Sequence, residues 1–528
     1  MQDTPDFKRL FMAVFLMTAL LMGYNAFFGP KTKALQPAPA PVQSTDTAGV
    51  KTAPMPLAPP RVETLNTPIV TQSLTRTLPD RGGIRGGYQA TFSSEGARVS
   101  DFSLTGYQNP VHLAPYLVAE SRDGNLTLSS ASRYQLVNQD ASSIAFQKTT
   151  PEDIRVIRRY RFSETPFVLQ HELEFKNLSA VSKPISINLV MDTHEAQKAD
   201  VEQLAAAFRF GKTHERFPLK DIKEQPETLS GTLTYAGFDR RYFFISVAPE
   251  QNNLTESATT QILKVGEHEG MRISLRHKTF TLAPGATQLF SYSSYIGPKE
   301  LKLLDAAGHG LSENIDYGWF GVLSRPLLWL LIYINQWVLN FGLAIILLTV
   351  LIKLLTFPLT QKSFGAQQQM KKISPQLKEI QKKYAHDKAM LGQQQMAFYK
   401  EQGINPMAGC LPILIQMPVW FALYQMLGNS VELYEQPFYG WITDLTKPDP
   451  YYVMPVVMGL SMLISQWIMP PAIDESQPQM KYVMWFMPVF LTFVMLSMPA
   501  GLSIYMLVNN LLTIAQQMYI KQRSEVSA

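Results

Sequence analysis

The chain has 528 residues, 46% hydrophobic and 17% charged, with a formal net charge of +5 and a mean hydropathy near zero. That average conceals a soluble middle and an apolar C-terminal part, and so mild a positive balance does not point to a nucleic-acid partner. The single cysteine, Cys410, excludes a disulfide framework, and no metal-ligand spacing involves it.

The first apolar run extends from about Leu10 to Phe28, behind Lys8 and Arg9. It approaches the ~20 residues that a spanning helix needs, exceeds most signal-peptide cores, and has no small-residue cleavage site ahead of Gly29. Residues 1–29 therefore read as an uncleaved signal anchor with a cytoplasmic N-terminus, a cleaved signal being the alternative. Residues 30–61 hold QPAPAPV and PMPLAPP, the composition of an extended Pro/Ala-rich tether.

From residue 62 to 313 short alternating apolar runs are separated by turn residues, among them ATFSSEGARVSDFSL, IRVIRRYRFS, FVLQHELEFKN and TQLFSYSSYIG. Many strands of period two over such a length describe a large antiparallel β-sandwich, on the far side of the membrane from the N-terminus. Residues 314–326 then bring Ile315, Trp319, Val322 and Leu323 close to one helical face before Pro326. The expectation is an amphipathic helix in the outer interface, against the alternative of a plain last helix of the sandwich.

Five apolar runs follow, at roughly 328–359, 407–428, 452–469, 483–498 and 501–520, so that with the anchor the expectation is a polytopic α-helical membrane protein of six spans. Charge sets the topology. Residues 360–406 carry eight lysines against Glu379, Asp387 and Glu401, whereas the loop from Asn429 to Pro450 carries Glu432, Glu435, Asp444 and Asp449 against Lys447. Positive inside places the first loop and both termini, including the tail at 522–528, in the cytoplasm.

Within the first run Lys353 is a lone cation, roughly 13 Å short of Lys362 at about 1.5 Å per residue. An unpaired ammonium at such depth costs on the order of 3 kcal/mol, unless the side chain snorkels to the headgroups or water reaches it. Thr349, Lys353, Thr356 and Thr360 share one helix face, which favours a wet cavity over a lipid-facing snorkel. Gln416, with Ser503, Asn509, Asn510, Thr513, Gln516 and Gln517 on the last run, are candidates for lining the same cavity; interhelical hydrogen bonding is the competing account.

The loop at 360–406 is expected to be a helical hairpin: Met370, Ile373, Leu377, Ile380 and Tyr384 recur at helical spacing, Ser374 and Pro375 read as a cap and first turn, and Asp387 caps a second arm. Its basic face, with Lys371, Lys372, Lys378, Lys382 and Lys383, is a candidate docking surface. The following run, with Pro412 and Pro418, frees carbonyls that are tolerated at membrane depth only against protein or water. Among the 24 methionines, Met417, Met426, Met487, Met495 and Met506 fall in the spans, where flexible thioethers suit an adaptable apolar surface, core filling being the plainer account. No phosphate loop, HExxH or GxSxG occurs, and the eight histidines are scattered, so neither catalytic residues nor a cofactor or metal are expected.

The stretches PLTQKSFGAQQQMKKISPQLKEIQKKY, NPMAGCLPILIQMPVWFALYQML, PFYGWITDL and MPAGLSIYMLVNNLLTIAQQ closely resemble the YidC/Oxa/Alb family of membrane protein insertases, in its Gram-negative form. The resemblance is strong from about Trp319 to Gln517 and collinear, though weaker, over the anchor and sandwich. It implies a five-helix core (327–521) around a hydrophilic groove open to cytoplasm and lipid, a periplasmic β-supersandwich, and a multi-pass protein of the bacterial inner membrane. The substrates it implies are nascent membrane proteins, and the partners are the Sec translocon, and ribosome or targeting factors at the hairpin; DNA is not among them. Lys353 occupies the position of the family's groove arginine, so the charge is kept and the bidentate fork lost. Tyr505 is followed by Met506 where the family often has a second aromatic. A secondary transporter and an anchored carbohydrate enzyme are the competing readings; the first lacks inverted repeats and the second leaves five helices without a purpose.

Overall fold

The computed structural model describes residues 68–526 except 79–85, 109, 114–115, 195–203, 223–226, 252–254, 266–267, 316, 318–319, 385, 404–410 and 469–477. The anchor, the tether and the expected aromatic anchor Trp319 lie outside the described residues.

Alternation of apolar and polar residues produces antiparallel sheets of nine, five, four and two strands. The nine-stranded sheet runs Thr213–Pro218, Ala205–Phe210, Leu233–Asp239, Phe243–Pro249, Thr287–Pro298, Val168–Asn177, Ile154–Phe162, Ser143–Thr149 and Gln135–Gln139. In Ile154–Phe162 the inward positions are Ile154, Val156, Arg158, Tyr160 and Phe162. Four are apolar, as period two demands. The fifth is an arginine only 1% exposed, whose Nη1 donates to the carbonyls of Gly96 and Leu117 at 2.9 and 3.1 Å. The five-stranded sheet, with Ile187–His194 and His268–His277 near its centre, contributes Leu189, Met191, Ile273 and Leu275 to the same core.

The sandwich ends in a short helix, α1 (Leu301–Ala307), and a 3-10 turn at Leu311–Asn314. Buried Asp239 fixes this exit: its carboxylate accepts from Lys299 Nζ (2.8 Å), Arg216 Nε (2.7 Å) and Asn314 Nδ2 (2.9 Å). Burial alone would raise its pKa, but the two cations prevail and hold it lowered.

The helical part comprises α2 (Gly321–Val338), α3 (Phe341–Lys383), α4 (Lys388–Glu401), α5 (Leu411–Asn429), α6 (Val453–Ile468), α7 (Pro478–Met495) and α8 (Ala500–Val526). Three expectations are corrected here. The interfacial helix does not stop at Pro326, which lies inside α2. Pro326 is the sixth residue of α2, so it gives up the bond that an N–H there would make to the Val322 carbonyl, and the helix continues through it. The apolar run at 328–359 is two helices, because Leu339 adopts a left-handed conformation (φ 53) and the Asn340 side chain accepts the Leu343 N–H at 3.0 Å, capping α3. Ser374 and Pro375 do not begin a hairpin arm, since α3 continues through Pro358 and Pro375 to Lys383. The second arm does begin where expected: Asp387 Oδ1 accepts the Met390 N–H at 3.0 Å, ahead of α4.

Among the described residues one helical stretch, Phe341–Met370, is long and apolar enough to cross a membrane; Val453–Ile468 and Trp485–Met495 are shorter apolar helices. Helices α6 and α7 approach closely at Gly459, where a Cβ would meet the Thr492 side chain.

The sandwich is seated on the loop between α5 and α6. Tyr434 packs against Tyr107, Tyr242 and Phe243, with ring centroids 4.7–5.7 Å apart. Glu435 accepts the Gln108 N–H at 2.7 Å, and Arg241 Nε donates to the Gly428 carbonyl at 2.7 Å. A cavity of about 30 Å³ remains at this seat, lined by both Glu300 and Glu432.

Candidate functional site

The outer loop fixes the helices around Lys353. Asp449 accepts the N–H groups of Tyr451 and Met454 and the indole of Trp441, at 2.7–3.0 Å, capping α6. The carbonyls of Lys447 and Leu445 accept the N–H groups of Ala500 and Gly501 at 2.8 and 3.0 Å, so the first turn of α8 is satisfied by the same loop. From that start α8 packs along both α3 and α6.

Lys353 turns sideways into this bundle. Its neighbours Leu354 and Leu355 are 64% and 73% exposed on the outer surface of α3. The Lys353 ammonium donates instead to Thr513 Oγ1 of α8 at 2.7 Å. Among the described residues no carboxylate forms an ion pair with it. The stem therefore does not run along the helix toward the headgroups.

The threonine stripe behaves differently from its expectation. Thr349 is 1% exposed and its hydroxyl donates back to the Ile345 carbonyl at 2.6 Å. Thr356 donates to the Ile352 carbonyl at 2.9 Å and Thr360 to the Thr356 carbonyl at 3.1 Å. Back-bonding to the preceding turn satisfies these hydroxyls within their own helix. Thr349 is thus a packed core residue, a correction to its place in the groove, while half-buried Thr356 stays beside Lys353.

Across the bundle the Gln416 amide of α5 donates to the Tyr505 hydroxyl of α8, bringing two expected groove residues together. Tyr505 is 1% exposed. Asn509 is half-buried, and its carbonyl accepts the Thr513 hydroxyl at 2.7 Å. Further along α8, Gln516 donates to Thr360 Oγ1 at 2.7 Å, Gln517 accepts from Ser465, and Asn510 donates to Ser461, both at 3.3 Å. These three join helices rather than line open space, so for them the hydrogen-bonding account holds. Ser461 and Ser465 were not singled out from sequence, although their spacing of four on an apolar helix is the signal that marks them.

The methionines divide. Met426 and Met495 are fully buried, which corrects their assignment to a substrate-facing surface: they fill the core between helices. Met417, Met487 and Met506 are half-buried. On the hairpin arms Lys372, Lys382 and Lys383 are exposed and Lys378 is half-buried, with Lys383 lying 5.6 Å from the Tyr384 ring centroid. The Lys371 side chain lies outside the described residues.

No group of three His, Cys, Asp or Glu side chains among the described residues is placed to hold a metal ion. What the arrangement offers is a cation held by a neutral acceptor, with an amide–phenol pair about two turns away along α8, between helices whose outer faces are apolar. It has the parts of a polar binding surface.

Comparison with known proteins agrees with this division of the chain. Residues 86–330 match the family model described as the YidC periplasmic domain, and residues 333–527 match that of the 60Kd inner membrane protein. The membrane protein insertase YidC of Syntrophus aciditrophicus (strain SB) is 32% identical, covering 98% of this chain and 100% of its own. That of Anaeromyxobacter sp. (strain Fw109-5) is 35% identical over 83% of each chain. A crystal structure of an active YidC insertase with its first transmembrane domain resolved aligns over 84% of this chain and 94% of that one, at 15% identity and a TM-score of 0.37. That likeness adds nothing to what the sequence relatives carry. Collinear identity of 32–35% over most of both chains, with an inner-membrane helical part and a periplasmic sandwich in the same order, places the chain in the YidC family of membrane protein insertases.

Proposed function

We propose that the chain inserts nascent membrane proteins through a polar groove between α3, α5 and α8, with Lys353 as its charged contact. The observation that carries this reading is the Lys353 ammonium turned onto α8 with no carboxylate partner among the described residues. A buried cation without a counter-ion is costly, and a ligand carboxylate or water relieves that cost.

In this reading a short polar or acidic tail enters from the cytoplasm, is held at Lys353 beside Thr356, Gln416, Asn509 and Thr513, with buried Tyr505 bonded behind Gln416, and has only the outer half of the bilayer left to cross. Its apolar segment leaves along Met417, Met487 and Met506 into lipid. Hydrophobic partition drives the step at about 0.8 kcal/mol per buried CH₂, so no nucleotide is required at this protein. Six spans with both termini cytoplasmic, five of them forming the core, are part of the same proposal, as is a multi-pass location in the bacterial inner membrane. So are partnership with the Sec translocon and docking of ribosome or targeting factors at Lys371, Lys372, Lys378, Lys382 and Lys383.

The test is reconstitution of the full chain in liposomes with a single-span substrate carrying an acidic tail. Lys353→Arg is expected to retain insertion, and Lys353→Ala and Lys353→Glu to impair it. Undiminished insertion by the Glu variant would refute the electrostatic part of the mechanism.

A further inference from the structure

We infer that Thr513 is a positioning residue that holds the Lys353 ammonium in the groove and so sets the preference for acidic over neutral tails. The inference rests on the groove reading above and adds to it a residue with a defined role.

The argument starts from the hydroxyl's single proton. Thr513 Oγ1 donates to the Asn509 carbonyl one turn back at 2.7 Å and receives the Lys353 ammonium at 2.7 Å. With its hydrogen committed to the backbone, the oxygen turns lone pairs toward α3 and acts there only as an acceptor. An ammonium has three donors, so one bond to a neutral oxygen fixes its place without cancelling its charge and leaves two donors for an incoming carboxylate. A carboxylate at position 513 would neutralise the cation instead. No bond at all would leave a flexible four-carbon stem free to swing toward the exposed flank of Leu354 and Leu355. The threonines flanking Lys353 on its own helix already donate to the carbonyls of Ile345 and Ile352, and the bond that ties the ammonium comes from the facing helix. Because α3 and α8 pack along each other, the same bond sets where the charge sits between them.

The experiment measures, in liposomes, insertion of two single-span substrates that differ only in an acidic or a neutral tail, and takes the ratio. Thr513→Val preserves shape and removes the acceptor; the ratio is expected to fall about three- to tenfold, the scale of a typical net hydrogen bond. Thr513→Ser, which keeps the hydroxyl, is expected to restore the parent ratio. In a Lys353→Ala background Thr513→Val is expected to lower the ratio no further. Thr513→Ala repeats the test if the valine variant melts early. A ratio unchanged by Thr513→Val, an equal loss for both tails, or a further fall in the Lys353→Ala background overturns the role of Thr513. A Lys353→Ala variant with the parent ratio overturns the groove reading itself, so the two failures are distinct.

Discussion

Glu432→Gln isolates the electrostatic load at the seat of the sandwich. Glu432 Oε2 is buried with no hydrogen-bond partner among the described residues, and it shares its cavity with Glu300. Burial pushes the Glu432 carboxyl from 4.5 up to about 7; its own backbone N–H pulls the other way, and the neighbouring Glu300 adds a smaller push. Burial also raises Glu300, with Lys302 opposing, and Tyr317 lies within the electrostatic reach of both Glu432 and Arg325. An acid whose pKa is higher folded than unfolded binds the extra proton in the folded state. Stability is therefore greatest below about pH 4.5, declines as pH rises toward 7, and above that bears the full cost, about 3 kcal/mol. Glutamine keeps the shape and removes the titration. The variant should match the parent near pH 4.5 and exceed it at pH 8, where 3 kcal/mol corresponds to a melting shift on the order of 5 °C or more for a domain of this size. Thermal unfolding of both proteins in the same detergent at the two pH values is the assay. A difference in melting temperature that is the same at both would refute the assignment of the raised carboxyl to Glu432.

Two further outcomes are expected. Excising the sandwich from Thr71 to Pro298 while keeping α2 should leave insertion in place but lower the melting temperature of the helical part, because Tyr434 loses its packing against Tyr107, Tyr242 and Phe243, worth about 2 kcal/mol; complete loss of insertion in a stably expressed deletion would show that the functional core extends into the sandwich. Neutralising Lys371, Lys372, Lys382 and Lys383 together should reduce crosslinking of α3 and α4 to ribosomal, targeting or nascent-chain partners, with orientation measured separately; correct orientation with undiminished recruitment would leave the basic face a topology signal only.

The sandwich was legible because period two is a local property: each strand announces its inward face whatever the sheet order. Arg158 is where that rule fails. It occupies an inward register position, and its Nη1 donates to the carbonyls of Gly96 and Leu117, more than forty residues away in sequence. Nothing within the strand foretells that. The α2–α3 boundary was hidden for a related reason. Apolar residues continue on both sides of Leu339, and hydropathy does not register a left-handed backbone angle or a side-chain cap. Lys353 and Thr513 were each legible as polar residues in apolar runs, but their pairing across α3 and α8 depends on packing that no single run contains.

The acidic outer loop shows how one feature can serve two arguments. Glu432, Glu435, Asp444 and Asp449 marked the loop as external by their charge alone. In the structure Asp449 caps α6, Asp444 Oδ1 accepts the N–H and hydroxyl of Thr446 at 2.9 and 2.7 Å, Glu435 holds Gln108 of the sandwich, and Glu432 faces the cavity at the seat. The charge count therefore reads topology from residues whose positions are set by loop folding and sandwich docking. The same loop's carbonyls start α8, the helix that carries Thr513. A change in the seat thus has a physical route to the groove through the first turn of α8, without contact between the sandwich and Lys353. If that route matters, Glu432→Gln at pH 8 should alter the acidic-to-neutral insertion ratio as well as the melting temperature. A shift in melting alone would confine the seat to stability.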